Sequence, residues 1–509
     1  MGRTKSKSDS SIKTVDPPGI NETASSDEMI IPESAPPAES SVASSRTDYE
    51  YSLILETYWY GIWRWRDDRQ TWMRWNTRFW EEATEHEAAR TATEDLRGYL
   101  ENELIACGDD DLEAKMSHSC FARDVSTFSR VRSVLKYLKG SPKFQTRSGE
   151  WDADESLLNL ANGMLDLSQL AYMNPSELKL NKHDPEALCT RMAPVFYDPT
   201  AEALEWNTHL EYFIEEPDVR REIQRGLGLS LVGTSLVEVL HVWFGLGANG
   251  KSTTANVIQK LLGKYSGQAA PNLLVQNGRQ EHPTEIADLC GKRLAFSSET
   301  AHESKLDEAK VKQLTGGDIQ KARYMRKDYF EFKQTWTLFL LCNHKPSIQG
   351  TDNGIWRRVR FIPWSRHIEP SKQKPQDEVT SKLLNEKSGI LNWLIEGLAD
   401  YYEDPQWLSE TVRDETDIYR SEQDMIRDFL EDCCQIGRGQ TVSVKDLYEA
   451  YQQWCAIENE HPQSKKTFGS RLKGRGGIKG AKGTAGVRIW TGLALKPDIT
   501  LDNKTIHNS

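Results

Sequence analysis

A glycine-rich stretch, FGLGANGKSTT, constrains what this chain can fold into more than any other part of its sequence. Its glycines allow two interpretations. Gly245, Gly247 and Gly250 have the G-x-G-x-x-G spacing of a dinucleotide-binding turn, whereas Gly245, Gly250, Lys251 and Ser252 have the G-x-x-x-x-G-K-[ST] spacing of a phosphate-binding P-loop. Both motifs require a strand before the loop and a helix after it, so either one predicts an α/β core.

The residues after the last glycine favour the P-loop. A P-loop needs a lysine that reaches the β- and γ-phosphates and a hydroxyl that holds Mg²⁺, and Lys251 and Ser252 supply both. A dinucleotide fold needs instead an acid about 20 positions further on, but the first acid after the loop is Glu281. VEVLHVWF predicts the preceding strand, and TANVIQKLL, ending before Gly263, predicts the following helix. The predicted nucleotide-binding residues are Gly245, Gly247, Ala248, Asn249, Gly250, Lys251, Ser252 and Thr253.

Two later strands are expected to bring polar side chains to the same phosphates. KRLAFSSET ends its apolar run near Glu299, where a hydrolysing enzyme places a carboxylate that orients water or assists the metal ion. TWTLFLLCN ends at Asn343, which would lie beside the γ-phosphate if this strand neighbours that of the P-loop. Taken singly, each is equally well a buried strand that meets a surface polar residue. In series after a P-loop they indicate a catalytic role, with Ser252 and Glu299 as the predicted metal ligands.

A pair of arginines follows in GIWRRVRFIPW. Arg357 or Arg358 is a candidate for the guanidinium that completes the nucleotide site of a neighbouring subunit. A surface strand with alternating charge explains the same residues. The sequence does not separate the two arginines, although we slightly favour Arg357.

Here the motifs resemble a known family. The series GLGANGKS, RLAFSSE, KQLTGGDIQKAR, LLCNHKP and GTDNGIWRRVRFIPW is similar to the superfamily 3 helicase core of the phage and plasmid primase-helicase family, which is related to the poxvirus primase-helicase. Upstream, DESLLNLANGMLDL resembles the helicase-associated N-terminal domain of that family. The resemblance spans roughly residues 50–495. It implies an AAA+ type core, ATP and Mg²⁺ as cofactors, and a ring, usually a hexamer, that translocates on single-stranded DNA, typically 3′ to 5′.

A basic hairpin is the expected DNA contact inside such a ring. TGGDIQKARYMRKDYFEF predicts two strands around the turn Arg326-Lys327, with Lys321 and Arg323 nearby. The resemblance implies that a hairpin at this point projects into the central channel and carries the phosphate backbone. Alone, the pattern is that of an ordinary solvated hairpin tip. Within a ring that moves a polyanion, we favour the DNA-binding interpretation.

The C-terminal region predicts three helices, a short strand TVSV and a glycine-rich basic hairpin that ends in RIWTGLAL, which together suggest a winged helix. Residues 461–490 hold eight Lys or Arg and no acid, although the formal net charge of the chain is −12. This local charge predicts DNA binding, while a winged helix used only for protein contacts is the alternative. The predicted DNA-binding residues here are Lys465, Lys466, Arg471, Lys473 and Arg475.

Composition predicts the remaining organisation. Residues 1–48 contain eleven Ser, five Pro and no aromatic residue, which predicts a disordered tail. A tryptophan-rich block follows, in which IWRWR and TWMRW predict short strands, with helical periodicity from about 76 to 140. Tryptophans interleaved with arginines could stack on bases, but we favour a hydrophobic core. The predicted segments are a tail (1–48), an α+β helicase-associated domain (49–200), a helical collar (201–235), the P-loop core (236–370), a helical lid (371–422), a winged helix (423–495) and a flexible tail (496–509).

These features predict a ring-forming DNA helicase that hydrolyses ATP and acts on single-stranded and forked DNA. No apolar run is long enough to cross a membrane, and the scattered cysteines suit a reducing interior, so we expect a cytoplasmic protein. The ordered chain begins near residue 50, so we expect no primase domain of its own and expect a separate primase or polymerase as a partner. An ATP-switched, DNA-binding assembly factor is the rival, and the same motor used in antiviral defence is a third alternative.

Overall fold

The structure is a computed structural model. It describes residues 46–106, 116, 120, 122–271, 273–276, 283–298, 305–348, 353–458, 461–473, 475–483 and 486–497. The predicted carboxylate Glu299 and residues 1–45 of the predicted tail lie outside these ranges. Within them, no helix combines the length and the apolar character needed to cross a membrane.

Tryptophans form the core of the first region. Its elements are α1 (Asp48–Trp59), β1 (Trp63–Arg66), β2 (Thr71–Trp75), β3 (Trp80–Ala83), α2 (Glu85–Ala106), α3 (Phe128–Gly140) and β4 (Gln145–Thr146). Helix α1 starts at a capping box, in which Thr47 and Glu50 satisfy each other's backbone N–H groups. The sheet has the order β3-β2-β1-β4, and Trp59, Trp63 and Trp72 are buried between it and the helices. The interpretation of these tryptophans as core is therefore confirmed.

One part of the helical prediction for residues 76–140 is wrong, because residues 80–83 form strand β3. Trp80 pairs opposite Trp75 of β2 and is 1% exposed. The segment reads W-E-E-A, with apolar residues three positions apart, which is a helical spacing as well as a possible short strand. Only the pairing with β2 distinguishes the two.

A five-stranded parallel sheet organises the centre of the chain. The elements of this region are β7 (Leu240–Phe244), α6 (Lys251–Leu262), β8 (Ser266–Gln268), α7 (Pro283–Ala287), β9 (Leu294–Ser298), α8 (Glu308–Thr315), β10 (Ile319–Ala322), β11 (Phe330–Lys333), β12 (Thr337–Cys342), α9 (Asn353–Trp356) and β13 (Val359–Pro363). The parallel sheet has the order β13-β7-β12-β9-β8. Along β7, Leu240 and Val242 pack into one hydrophobic core and Trp243 into another, because successive side chains face opposite sides of a strand. The predicted α/β core is confirmed.

The predicted collar and lid pack directly on each other beside this sheet. A hairpin of β5 (Leu157–Leu160) and β6 (Gly163–Asp166) precedes α4 (Leu204–Phe213) and α5 (Pro217–Gly228), and the later helices are α10 (Gln376–Leu384), α11 (Lys387–Glu403) and α12 (Glu410–Glu422). Helices α5 and α11 approach closely where Gly228 lies, since a Cβ there would be 2.7 Å from the carbonyl oxygen of Leu394. The buried guanidinium of Arg225 donates to the carbonyl oxygens of Asp400 and Asp404 at 2.6 and 2.7 Å.

Three helices and a three-stranded antiparallel sheet form the described part of the C-terminal region. The elements are α13 (Met425–Cys433), β14 (Cys434–Ser443), α14 (Val444–Ile457), α15 (Lys465–Lys473), β15 (Lys479–Lys482) and β16 (Arg488–Leu495), and the strand order is β14-β16-β15. The expected short strand TVSV is wrong in extent, because β14 has ten residues. A register shift between Ile436 and Thr441 interrupts the pairing, and the intervening G-R-G sequence reads as a turn. The segment boundaries given above stay predictions.

Candidate functional site

The glycine loop joins β7 to α6 at the carboxyl edge of the parallel sheet. Three of its residues have a left-handed backbone: φ is +102° at Gly247, +47° at Ala248 and +81° at Gly250. Successive backbone N–H groups in such turns form a concave nest that binds anions. The first turn of α6 adds the free N–H groups and the dipole of a helix N-terminus. The loop therefore has the shape and polarity that phosphate groups require.

Two glycines of the loop lie so close to neighbouring residues that a side chain would not fit. A Cβ at Gly245 would lie 2.1 Å from the amide nitrogen of Asn249 and 2.4 Å from the carbonyl oxygen of Trp364. A Cβ at Gly250 would lie 2.5 Å from the ring of Phe213 on α4. Because contacts this short do not occur between real side chains, both positions exclude any larger residue while the neighbours stay in place.

Lys251 is the central feature of the site. The residue is 4% exposed, and its Nζ donates to the carbonyl oxygen of Gly245 at 2.6 Å, to Oδ1 of Asn249 at 3.2 Å and to Oδ1 of Asn343 at 3.3 Å. All three acceptors are neutral. Burial lowers the pKa of Lys251 to about 8. A buried cation whose hydrogen-bond acceptors in the described part of the chain are all neutral is stabilised by a bound anion, so this amine suits a phosphate.

Asn343 reaches this lysine from the neighbouring strand. Strand β12 pairs in parallel with β7, with Cys342 opposite Phe244, so that Asn343 follows β12 next to the start of the loop. The expectation that these two strands are neighbours is confirmed. The structure thereby brings together Lys251 and Asn343, which are 92 residues apart in the sequence.

Of the two predicted metal ligands, Ser252 lies within the described residues. Ser252 is exposed and Thr253 partly exposed in the first turn of α6. Strand β9 lies beside β12 and ends at Ser298, so its carboxyl end is at the same edge of the sheet as the glycine loop. Glu299 lies outside the described residues, and the metal-binding roles of Ser252 and Glu299 stay predictions. A hydroxyl at this position fits Mg²⁺, which takes few protein ligands and keeps phosphate oxygens and water as the others.

Residues that the sequence motifs did not indicate hold the loop from outside. Besides Phe213, His209 of α4 contributes a ring nitrogen, Nε2, 3.0 Å from Oγ1 of Thr254, and burial lowers the pKa of this histidine to about 4. After β13, the carbonyl oxygen of Trp364 accepts from the side-chain amide of Asn249 at 3.2 Å. The backbone N–H of Ile368 donates to the carbonyl of Ala248 at 2.8 Å. The only sequence signal for them is that aromatic residues end α4 and follow β13.

The two predicted arginines differ in their surroundings. Both contact Oε2 of Glu238: Arg358 at 2.6 Å and Arg357 at 3.2 Å. The side chain of Arg358 is 10% exposed and also donates to the carbonyl of Gly354 at 2.8 Å, whereas that of Arg357 is 64% exposed. Arg357 is therefore the one whose guanidinium can turn outward towards another molecule.

Strands β10 and β11 form the predicted antiparallel hairpin, and its four predicted DNA-binding cations divide into two pairs. The guanidinium of Arg323 and the amine of Lys321 lie over the ring of Tyr329, 4.9 and 5.8 Å from its centroid. Arg326 and Lys327 are exposed in the connecting turn, where Arg326 has a left-handed φ of +60°. Sequence reasoning missed Tyr329, which is 52% exposed and orients the first pair.

The C-terminal cations are also divided. Lys465, Lys466 and Lys473 of α15 are exposed. Arg475 forms an ion pair with Asp424, and Arg471 is partly buried, so that burial lowers its pKa. Of the five predicted DNA contacts in this region, three are therefore exposed, and the amine of one of them, Lys465, lies 5.7 Å from the ring centroid of Tyr448.

The parallel sheet, the glycine loop and the buried lysine define the class: an α/β protein with a P-loop-type core. Comparison with known families is more specific. Residues 52–215 match the model described as D5 N terminal like, and residues 421–475 match that described as poxvirus D5 protein-like. Residues 243–358 match a family of unknown function, DUF5906. The chain therefore carries the domains of the D5-type primase-helicase family, and the resemblance seen in its motifs is confirmed.

Similar proteins come from large DNA viruses. The chain is 27% identical over 325 residues to "Putative helicase L207/L206" of Acanthamoeba polyphaga mimivirus, an alignment that covers 60% of this chain and 33% of the relative. It is 27% identical over 301 residues to "Putative helicase 022R" of Frog virus 3, covering 54% of this chain and 30% of the relative. The chain thus spans about a third of the length of these relatives. Among solved structures, the apo NrS-1 C terminal region aligns with a TM-score of 0.47 at 10% identity, covering 89% of this chain and 100% of the other.

Proposed function

We propose that this chain is a DNA helicase of the AAA+ type that assembles into a ring in which a neighbouring subunit completes each nucleotide site. The ring uses ATP hydrolysis to translocate on single-stranded DNA and to unwind forked DNA during replication. A hexamer is the assembly that we propose. The proposal includes a cytoplasmic setting, in a bacterium or an infected host cell, and a separate primase or polymerase as a partner.

The observation that carries the proposal is the environment of Lys251. Its buried amine has three neutral acceptors within 3.3 Å, at the N-terminus of a helix and inside a nest of left-handed residues. This arrangement favours a strongly anionic ligand such as a triphosphate, because such a ligand would compensate the buried positive charge. The D5-type domains on both sides of the loop favour a motor as the use of that ligand.

Each candidate residue then has a distinct role. Lys251 would hold the β- and γ-phosphates, and Ser252 would bind Mg²⁺, which neutralises charge on the phosphates when it is bound. Glu299 would accept a proton from the attacking water, and Asn343 would donate a hydrogen bond to the γ-phosphate. Arg357 would reach the nucleotide of the next subunit, since its guanidinium is the more exposed of the pair.

DNA is proposed to pass through the centre of the ring, along the β10–β11 hairpin. The exposed turn residues Arg326 and Lys327 would contact phosphates, while Tyr329 keeps Lys321 and Arg323 on one side of the hairpin. The C-terminal region, whose three helices and basic hairpin suit a winged helix, would provide further contacts through its exposed lysines. The viral relatives named as helicases support replication as the setting.

The direct test compares ATP hydrolysis by the wild type with that of Lys251→Ala. We expect turnover to fall at least about 100-fold, because the lysine stabilises charge that develops in the transition state. Lys260→Ala is the matched control, since Lys260 is an exposed lysine on the same helix. Turnover that survives in Lys251→Ala with an unchanged melting temperature would contradict the nucleotide-site assignment.

A forked DNA substrate then separates the helicase from an assembly factor. The helicase is expected to displace the annealed strand only in the presence of hydrolysable ATP. A protein that binds the fork and hydrolyses ATP without displacing a strand would instead be a switch or loading factor. Native mass measured with nucleotide tests the ring, because a fully active monomer would contradict it.

A further inference from the structure

Helix α3 of the tryptophan-rich region has an outer face that the described residues of its own domain leave uncovered. Its inner face, formed by Val131, Val134, Leu135 and Leu138, is buried in the core. The outer face of α3 consists of Phe128, Arg132, Lys136 and Tyr137, all of which are exposed. Phe128 is 45% and Tyr137 51% exposed.

Positive charge on this helix exceeds what its neighbours neutralise. The sequence of α3 holds four cations and no acid. Arg130 lies 2.6 Å from Asp48, and Lys139 lies 2.7 Å from Glu85. For Arg132 and Lys136 no ion-pair partner occurs within the described part of the chain. Asp48 and Glu85 are thus engaged by other cations, and among the described residues the charges of Arg132 and Lys136 remain on the outer face.

Aromatic rings border these two cations on both sides. The guanidinium of Arg132 lies 5.7 Å from the ring centroid of Phe128, on which His86 stacks at 5.2 Å with an interplanar angle of 14°. On the other border, Tyr137 meets Tyr49 edge to face at 5.7 Å, and Tyr49 is itself 54% exposed. Cations between exposed aromatic rings are the combination with which proteins hold single-stranded nucleic acid.

We propose that the outer face of α3 is a second binding site for single-stranded DNA, separate from the β10–β11 hairpin. Arg132 and Lys136, which are about 6 Å apart along the helix axis, contact the phosphate backbone, and Phe128 and Tyr137 contact unpaired bases. A duplex would leave the rings without partners because its bases are already stacked. The choice of DNA as the ligand rests on the proposed function; the existence of a binding face does not.

The test measures binding of a labelled oligothymidine to the full chain by fluorescence anisotropy, over a range of salt concentrations and without nucleotide. The variant Arg132→Glu/Lys136→Glu is expected to bind the oligothymidine more weakly than wild type. The slope of log affinity against log salt concentration should also become shallower by about 1.4, because each lost phosphate contact reduces it by roughly 0.7. Arg90→Glu is the matched control, since Arg90 is an exposed, ion-paired arginine on the adjacent helix.

A second pair of variants tests the bases. Tyr137→Leu is expected to weaken oligothymidine binding at least about fivefold, which corresponds to the lower end of measured base–aromatic stacking. Tyr172→Leu is its control, because Tyr172 is a 75% exposed tyrosine away from α3. Binding of a duplex of equal charge should change less than binding of the single strand.

The outcomes separate this site from the helicase assignment. Wild-type protein that binds DNA, together with an α3 variant whose affinity and salt slope are unchanged, would overturn the α3 site alone. Equal losses for duplex and single strand would also overturn it, because the rings would then have no role. Wild-type protein that binds no DNA would overturn the proposed function as well. Any DNA binding that remains in the hairpin variant Arg326→Glu/Lys327→Glu should be lost when the α3 substitutions are added. That loss would support two independent sites.

Discussion

The glycine loop and the β10–β11 hairpin are both read from short motifs, but the structure holds them in opposite ways. The amine of Lys251 is enclosed by neutral oxygens within 3.3 Å, whereas Arg326 and Lys327 lie exposed in a turn. A buried site depends on shape, so small changes in volume remove it. An exposed cationic site depends on charge, so its strength changes gradually and with salt. The candidate nucleotide site should therefore respond to substitutions in an all-or-none manner and the hairpin in a graded one.

The largest effect is expected from Gly250→Ala. The new methyl group would occupy a position 2.5 Å from the ring of Phe213, on a residue with φ of +81°. Strain and overpacking together should lower the free energy of unfolding by about 2–5 kcal/mol, and ATP turnover should fall to background. Gly247→Ala is the control, because it has φ of +102° but no atom within 4 Å of the added Cβ. Chemical denaturation measures the stability of both variants. If Gly250→Ala and Gly247→Ala lost equal stability, the ring of Phe213 would not shape the loop.

A smaller effect is expected at the arginine pair, where one member is buried and the other exposed. Arg358→Ala removes hydrogen bonds to Glu238 and to the carbonyl of Gly354, and should lower the free energy of unfolding by about 1–2 kcal/mol. Arg357→Ala should leave stability within about 0.5 kcal/mol yet reduce ATP turnover if the proposed ring forms. Melting curves and steady-state ATPase assays check this. If the two variants were equally stable and ATP turnover were lost in Arg358→Ala but kept in Arg357→Ala, Arg358 would be the arginine that reaches the neighbouring nucleotide.

In the protein without nucleotide, Lys251→Met is expected to raise the free energy of unfolding by an amount comparable to the loss in Arg358→Ala. Burial lowers the pKa of Lys251 to about 8, so the unfolded chain binds its proton more tightly than the folded chain. The charged lysine therefore destabilises the fold fully below pH 8, and this penalty fades as pH rises towards the unfolded pKa of about 10.4. The methionine variant should be more stable by about 1–2 kcal/mol at pH 7 and nearly equal to wild type at pH 10. Urea titrations at both pH values measure this difference in the free energy of unfolding. A methionine variant that is less stable than wild type at pH 7 would contradict the interpretation of Lys251 as a buried cation without a compensating charge.

The smallest effect belongs to the hairpin. Arg326→Glu/Lys327→Glu should weaken single-stranded DNA binding about tenfold near physiological salt, with little change in basal ATP turnover or melting temperature. Lys374→Glu, a 66% exposed lysine outside the hairpin, is the control. Salt-dependent anisotropy and ATPase assays with and without DNA check the result. A variant that loses basal turnover would show that the hairpin also belongs to the buried site.

The same contrast explains how much the sequence predicts. The loop, Lys251 and the partner strand of Asn343 follow from motif spacing and apolar runs, because close packing leaves few alternatives at these positions. Phe213 and Trp364 could not be predicted as parts of the loop, since they come from distant elements and their contacts depend on how α4 and β13 pack. Arg357 and Arg358 could not be separated either, because their difference lies in exposure.

Secondary structure could be predicted where the spacing of apolar residues clearly has the period of either a helix or a strand. β1, β2, α6 and β12 follow from clear periodicity, and each is present in the structure. Strand β3 was missed because its four residues also fit a helical spacing, and β14 was underestimated because its bulge contains glycines. In both, pairing with a neighbouring strand overrides the local pattern.

The most direct test of the central claim is ATP hydrolysis by wild type and Glu299→Gln, each with and without single-stranded DNA at matched salt. A motor that couples this nucleotide site to DNA should be stimulated by the strand, and the stimulated turnover should vanish in Glu299→Gln while nucleotide binding remains. Wild-type turnover that is indifferent to DNA would contradict the coupling, and the chain would then be an ATP-dependent assembly factor.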